Sequence, residues 1–172
     1  DVMIKNALSM FTFIMLATVL SWVVQPVLVQ GDVEAADSDP KVVYHADFAD
    51  PRRFSAMLTS INNMVTYYKN DLIDYDVRIV FVAHGVRFLT DDKLENTPFS
   101  ADAALEERRS NLKGRLTTLN KVHGVKLELC DITRSEIGLP EDALYEGVEL
   151  VPSGVVRLAE LQADGFAYIK IE

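Results

Sequence analysis

Three residues of this 172-residue chain combine a reactive side chain with a promising place in the sequence: His45, His84 and Cys130. Cys130 is the only cysteine, so the chain forms no internal disulfide and builds no all-thiolate metal cluster. It ends the segment VKLELC, residues 125–130, and directly precedes a helix start. A thiol there meets unpaired backbone N–H groups and the positive end of a helix dipole, which both favour the nucleophilic thiolate. Such a thiolate can take up sulfane sulfur and hold it as a persulfide. The plainer reading is a small buried hydrophobe at a strand end. His45 lies near the end of the segment KVVYHA and reads first as a packing histidine. His84 stands just past a buried strand, before Gly85. His123-Gly124 reads as a helix end. A metal site built from His45, His84 and Cys130 has no diagnostic spacing, so neither metal nor cofactor is assigned. Asp91, Asp92, Glu106 and Glu107 read as solvated surface.

The elements that must position these residues alternate in type. Residues 41–46 are β-branched and short, as in a strand. Asp50 then caps a helix with Pro51 at its first position, running to about residue 69. Its apolar residues Phe54, Met57, Leu58, Ile61, Met64 and Val65 recur at spacings of three and four. Residues 76–83 (DVRIVFVA) contain a continuous apolar run, expected of a strand covered on both faces. Residues 86–99 are irregular, a loop long enough for function or partner contact. A helix over residues 101–121 carries Ala104, Leu105, Leu112, Leu116 and Leu119 on its core stripe. Glu106, Glu107, Arg108, Arg109, Lys113 and Arg115 form its solvated face, and Gly114 weakens it or permits close packing. After the strand at 125–130, Asp131 or Thr133 caps a short helix, and a helical turn follows Pro140. A strand at 148–151, a helix from Pro152-Ser153 to Ala163 and a last strand at 166–171 complete the series. This alternation predicts an α/β fold: one mostly parallel five-stranded sheet in a Rossmann-like three-layer α/β/α domain. No Rossmann glycine fingerprint, Walker motif or nucleophile elbow occurs, which lowers the case for a nucleotide enzyme or hydrolase.

The N-terminal part has a different character. Residues 7–29 carry no charge over a length of about 34 Å as a helix, enough to cross a bilayer. Lys5 precedes the span and Asp32, Glu34, Asp37 and Asp39 follow it, which orients the N-terminus inside and the domain outside. A secretory signal is the competing reading, and the apolar run exceeds the usual length of about 7–15 residues. The expected organisation is an anchor at 1–30, an acidic linker at 31–40 and a folded domain at 41–172. The expected location is the cytoplasmic membrane of a bacterium, with the domain in the periplasm. Residues 7–29 would face lipid or other membrane subunits. The net charge of -9 argues against nucleic acid as a partner.

Four blocks of the domain resemble the DsrE/DsrF-like (YchN-like) sulfur-relay family. They are KVVYHAD with the helix around Ile61-Asn62-Asn63, then VRIVFVAHG at 77–85, HGVKLELCDIT at 123–133, and GVELVPSGVVRLAELQADGFAYIK at 147–170. The resemblance covers residues 41–172. It implies a Rossmann-like domain without nucleotide, assembled as homo- or hetero-oligomers, with Cys130 as a persulfide carrier and His84 and His45 as its neighbours. One departure matters. Relatives commonly have Gly-Asn-Thr after the cysteine, whereas Asp131-Ile132-Thr133 here places a like charge beside the thiolate. The expected role is therefore an accessory subunit of a membrane complex, more binding or structural than enzymatic. The alternative is a periplasmic sulfur carrier acting through Cys130.

Overall fold

The computed structural model describes residues 39–172. The predicted anchor and most of the acidic linker lie outside the described residues. Among the described residues no helix is long and apolar enough to cross a membrane.

Strand β1 (Lys41–Ala46) leads to α1 (Pro51–Asn70), then β2 (Asp76–Phe81), a 3-10 turn (Ala83–Phe88) and α2 (Ala103–Lys121). Strand β3 (Lys126–Cys130) passes directly into α3 (Asp131–Glu136). A second 3-10 turn (Glu141–Ala143), β4 (Val148–Val151), α4 (Gly154–Ala163) and β5 (Ala167–Ile169) follow. All five strands are parallel, in the order β4-β3-β2-β1-β5. The expected sheet was mostly parallel; the observed one is wholly so.

Alternation along the strands divides the residues between two faces. Val42, Tyr44, Ala46, Val77, Ile79, Phe81, Leu127 and Leu129 enter the larger core with the stripe of α1. That stripe is Phe54, Met57, Leu58, Ile61 and Val65, all buried, with Met64 packed at its edge. Asp50 caps α1 by accepting from the Arg52 amide, with Pro51 first in the helix. From α2 come Leu105, Leu112, Leu116 and Leu119, whereas Ala104 is exposed. Arg109 departs from the solvated face expected of it. It is half-buried and donates to the backbone carbonyls of Arg87 and Thr90, tying down the start of the long loop. Tyr145 holds the same loop by donating to the Thr90 carbonyl, so this segment is packed rather than free.

The second face is covered by α4 alone among the long helices. Its apolar core is small: Val43, Val80, Leu158, Leu161 and Phe166. Beside it sits Glu128, 1 % exposed, on β3. Arg78 of β2 donates to it at 2.9 Å, and Arg157 of α4 at 2.7 and 3.0 Å. Burial pushes the Glu128 carboxyl up, but the bonds from Arg157 and Arg78 outweigh this and hold it below its ordinary range. Arg78 also grips Asp76 and lies 5.0 Å over the Phe166 ring. The helix is thus pinned to the sheet by a charged bridge as much as by apolar contact.

Removing the carboxylate deprives Arg157 of its hydrogen-bonded partner and leaves Arg78 with Asp76 alone. Glu128→Leu is expected to cost about 3 kcal/mol in urea unfolding at neutral pH. A depressed folded-state pKa stabilises fully above the unfolded value of about 4.5, and that contribution is lost as pH falls through the folded value. The gap between wild type and Glu128→Leu should therefore shrink on acidification.

Candidate functional site

In a parallel sheet all carboxyl ends lie along one edge, and ligands bind beyond them. Cys130, His84 and His45 all fall on that edge, as expected. The structure does not gather them into one site.

Cys130 is 5 % exposed and is itself the N-cap of α3; the expected caps, Asp131 and Thr133, lie inside the helix. Its side chain makes no capping hydrogen bond. In register it lies opposite Val151 of β4. Above it sits Gly154, the first residue of α4, whose absent Cβ would fall 3.0 Å from the Cys130 Cβ and 2.6 Å from Val82. Two helix N-termini therefore meet at this thiol. Ser153 caps α4 by accepting from the Val156 amide, while the remaining N–H groups of its first turn are the usual unsatisfied donors. A groove of about 280 Å³, lined by Val151, Pro152, Ser153, Val156, Arg157 and Glu160, opens beside this junction. The charge of Asp131 is matched: its carboxylate accepts from Arg134 at 2.6 Å. The expected like-charge conflict with a thiolate is offset locally.

Thr133 has a different task from the capping expected of it. Buried at 6 % exposure, its hydroxyl accepts from the Ala83 amide at 3.1 Å. Ala83 has φ +50, a left-handed conformation that costs a non-glycine residue about 1–2 kcal/mol. This bond helps hold a strained turn against α3. Gly85 serves the same turn, since a Cβ there would fall 2.1 Å from the Ala46 carbonyl oxygen. The His-Gly pair that reads as a strand end is thus a close backbone approach. His84 sits on this turn with its ring edge-on to Phe99 at 5.2 Å, and its Nδ1 is buried without a partner.

His45 belongs to another neighbourhood. It pairs in register with Val80, which pairs with Glu128, so it lies two strands from Cys130. That is about 10 Å across the sheet, with a further two residues along it. Its Nδ1 lies 2.9 Å from the Tyr168 hydroxyl of β5, and its Nε2 is 3.9 Å from Asp47. Lys170 donates to Asp47 at 2.8 Å. Burial holds the imidazole pKa below its usual value, against the upward pull of Asp47 and with help from Lys170 and Arg53. Tyr168 and Lys170 were not legible as site residues, because only the β1–β5 pairing brings them to His45, whereas Asp47 follows it by two residues. Among the described residues no group of three or more His, Cys, Asp and Glu side chains could hold a metal ion.

With this geometry in place, similarity to known proteins becomes informative. The DsrE/DsrF-like family model matches residues 42–171. The chain belongs to the DsrE/DsrF-like family. Among solved structures it is similar to MTH1491 of Methanobacterium thermoautotrophicum, described as a protein of unknown function. Identity is 26 %, 77 % of this chain and 99 % of that one are covered, and the TM-score is 0.58. It shares a fold with the ychN protein of E. coli at 17 % identity, the same coverage of each chain and a TM-score of 0.52. No curated protein matches. The DsrE/DsrF-like domain thus places its single cysteine at the β3–α3 junction, beneath the first turn of α4.

The tightness of that junction is testable. Gly154→Ala adds a methyl group where Val82 and Cys130 leave no room, and is expected to cost about 2 kcal/mol. Chemical denaturation measures this, and Val82→Ala in the same chain should recover part of the loss.

Proposed function

We propose that this chain is a sulfur-handling module of the DsrE/DsrF-like family in which Cys130 accepts and passes on sulfane sulfur. The observation that carries this reading is the meeting of two helix N-termini at the Cys130 side chain. Unpaired N–H groups and two positive dipole ends suit a thiolate or a persulfide anion. Sulfur transfer needs little else. The Cys130 thiolate attacks the outer sulfur of a persulfide or polysulfide. A new S–S bond forms on Cys130, the donor's S–S bond breaks, and the donor leaves as a thiolate with the electron pair. There is no net oxidation or reduction, and no imidazole is required. This accords with His84 and His45 not being hydrogen-bonded to the thiol.

A second reading is an accessory subunit of a membrane complex. It draws support from apolar side chains left outside on the thinly covered face and its rim. Val155 and Val156 of α4, Ile132 of α3 and Tyr168 of β5 are all exposed. In both readings residues 7–29 anchor the chain in a bacterial cytoplasmic membrane and the domain works in the periplasm, singly or as an oligomer.

Intact mass measurement after mild polysulfide exposure separates the readings. A reductant-reversible gain of whole sulfur atoms, lost in Cys130→Ala, is expected. No gain, together with no alkylation of Cys130 in the folded chain, would leave the subunit reading. Anchoring is checked on membranes from cells making the full chain. The protein should resist alkaline carbonate extraction and be digested by protease added to spheroplasts; release by carbonate refutes the anchor.

A further inference from the structure

The amino edge of the sheet, opposite Cys130, carries a surface that the sulfur chemistry does not use. At the end of α1 the chain closes in a Schellman motif. The Leu72 amide donates to the Lys69 carbonyl at 3.2 Å, and the Ile73 amide to that of Tyr68 at 2.9 Å. The residue after the cap must be left-handed there, and glycine or asparagine usually fills the place. Here it is Leu72, at φ +56 and 92 % exposed. Neither the backbone nor water favours leucine at this position, and its side chain enters neither core cluster.

Leu72 has exposed apolar company. Val122, the C-cap of α2, is exposed, and Lys69 Nζ donates to its carbonyl at 2.9 Å, joining the ends of the two helices. Tyr67 is exposed in the last turn of α1, and its ring begins a run Tyr67–Tyr68–Tyr75 with centroids 5.9 and 5.6 Å apart. A groove of about 400 Å³ is lined by Leu72, Tyr75 and His123 among others. Aromatic rings beside aliphatic tips are the composition that proteins place at the headgroup level of a membrane. The charges here are balanced. Lys121 pairs with Glu146 and Lys126 with Asp76, and Lys69 is followed by exposed Asp71 and Asp74. A surface without excess positive charge suits zwitterionic lipid rather than anionic lipid.

The entry of the chain decides what lies opposite this surface. All strands are parallel, so β1 begins on the edge where α1 and α2 end. Residues 30–39, which join the apolar run to that edge, reach at most about 35 Å, roughly the diameter of a small domain.

We propose that the amino edge of the sheet lies on a zwitterionic bilayer surface, with Leu72, Val122 and Tyr67 entering the headgroup region. The inference rests on the reading of residues 7–29 as an anchor. Three side chains hold a membrane weakly by themselves, and the short tether makes their contact effectively intramolecular. This seating turns the carboxyl edge, and Cys130 with it, away from the lipid.

The test uses the full chain in phosphatidylcholine vesicles doped with lipid carrying a nitroxide near the headgroup. A fluorophore is placed on Val122→Cys, or on Val155→Cys at the carboxyl edge as a control, each with Cys130→Ala to leave one label. Flotation of the protein with the vesicles reports the anchor, and nitroxide quenching reports the seating. Quenching is expected at position 122 and not at 155. Leu72→Gly should reduce it about twofold or more by removing the most exposed apolar side chain. That variant relieves the left-handed strain, so its urea midpoint should hold or rise, which separates lost contact from lost fold. Flotation without quenching at 122 overturns the seating and leaves the anchor standing; no flotation overturns both. Equal quenching at 122 and 155, quenching unchanged by Leu72→Gly, or quenching that appears only with added phosphatidylglycerol also refutes the proposal. A label at 122 shielded from both lipid and aqueous quenchers refutes it in favour of a protein cover.

Discussion

A carboxylate buried under a single short helix sets the terms for much of this structure. An all-parallel sheet must be covered on both faces, and here α1 and α2 take one while α4, ten residues long, takes the other. Its apolar contact with the sheet is small, so Glu128 between Arg78 and Arg157 fixes where α4 lies. Breaking a buried ion pair is strongly destabilising, and here arginines from two different elements reach the same carboxylate. This bridge selects one seat for α4. In that seat Gly154 lies against Cys130.

The parallel arrangement has a second consequence. It brings every strand's carboxyl end to one edge, so the chemically capable residues share an edge without sharing a site. Cys130 sits between β3 and β4, and His45 sits between β1 and β5. His84 lies on the turn beyond β2, held by Thr133 and by the close approach of Gly85 to β1. The strand order separates what the linear sequence placed together.

That separation explains what was legible in advance. The stripe of α1 could be read because helical spacing is local, and Phe54, Met57, Leu58, Ile61 and Val65 are buried as their spacing requires. The element order and the place of Cys130 at a strand-to-helix junction could be read for the same reason. Strand order could not, because pairing between β1 and β5 joins residues over a hundred positions apart. His45 therefore read as a neighbour of Cys130, and Tyr168 and Lys170 went unnoticed. Glu128 drew no reading of its own within the strand at 125–130; its meaning depends on Arg78 and Arg157, each on a different element. Arg109 looked solvated because its acceptors are backbone carbonyls, which carry no side-chain signal.

The lack of a histidine on Cys130 bears on what kind of chemistry the domain can perform. Hydrolysis by a cysteine needs a base to raise the thiolate fraction and an acid for a poor leaving group. Sulfur exchange has neither demand, because a persulfide donor leaves as a stable thiolate. Cys130 N-caps α3 and lies under Gly154 of α4, and the neighbouring Asp131 carboxylate is paired with Arg134. Cys130 is buried and closed over by Gly154. The seating of α4 beside the buried Glu128 thus sets how closely Gly154 covers Cys130.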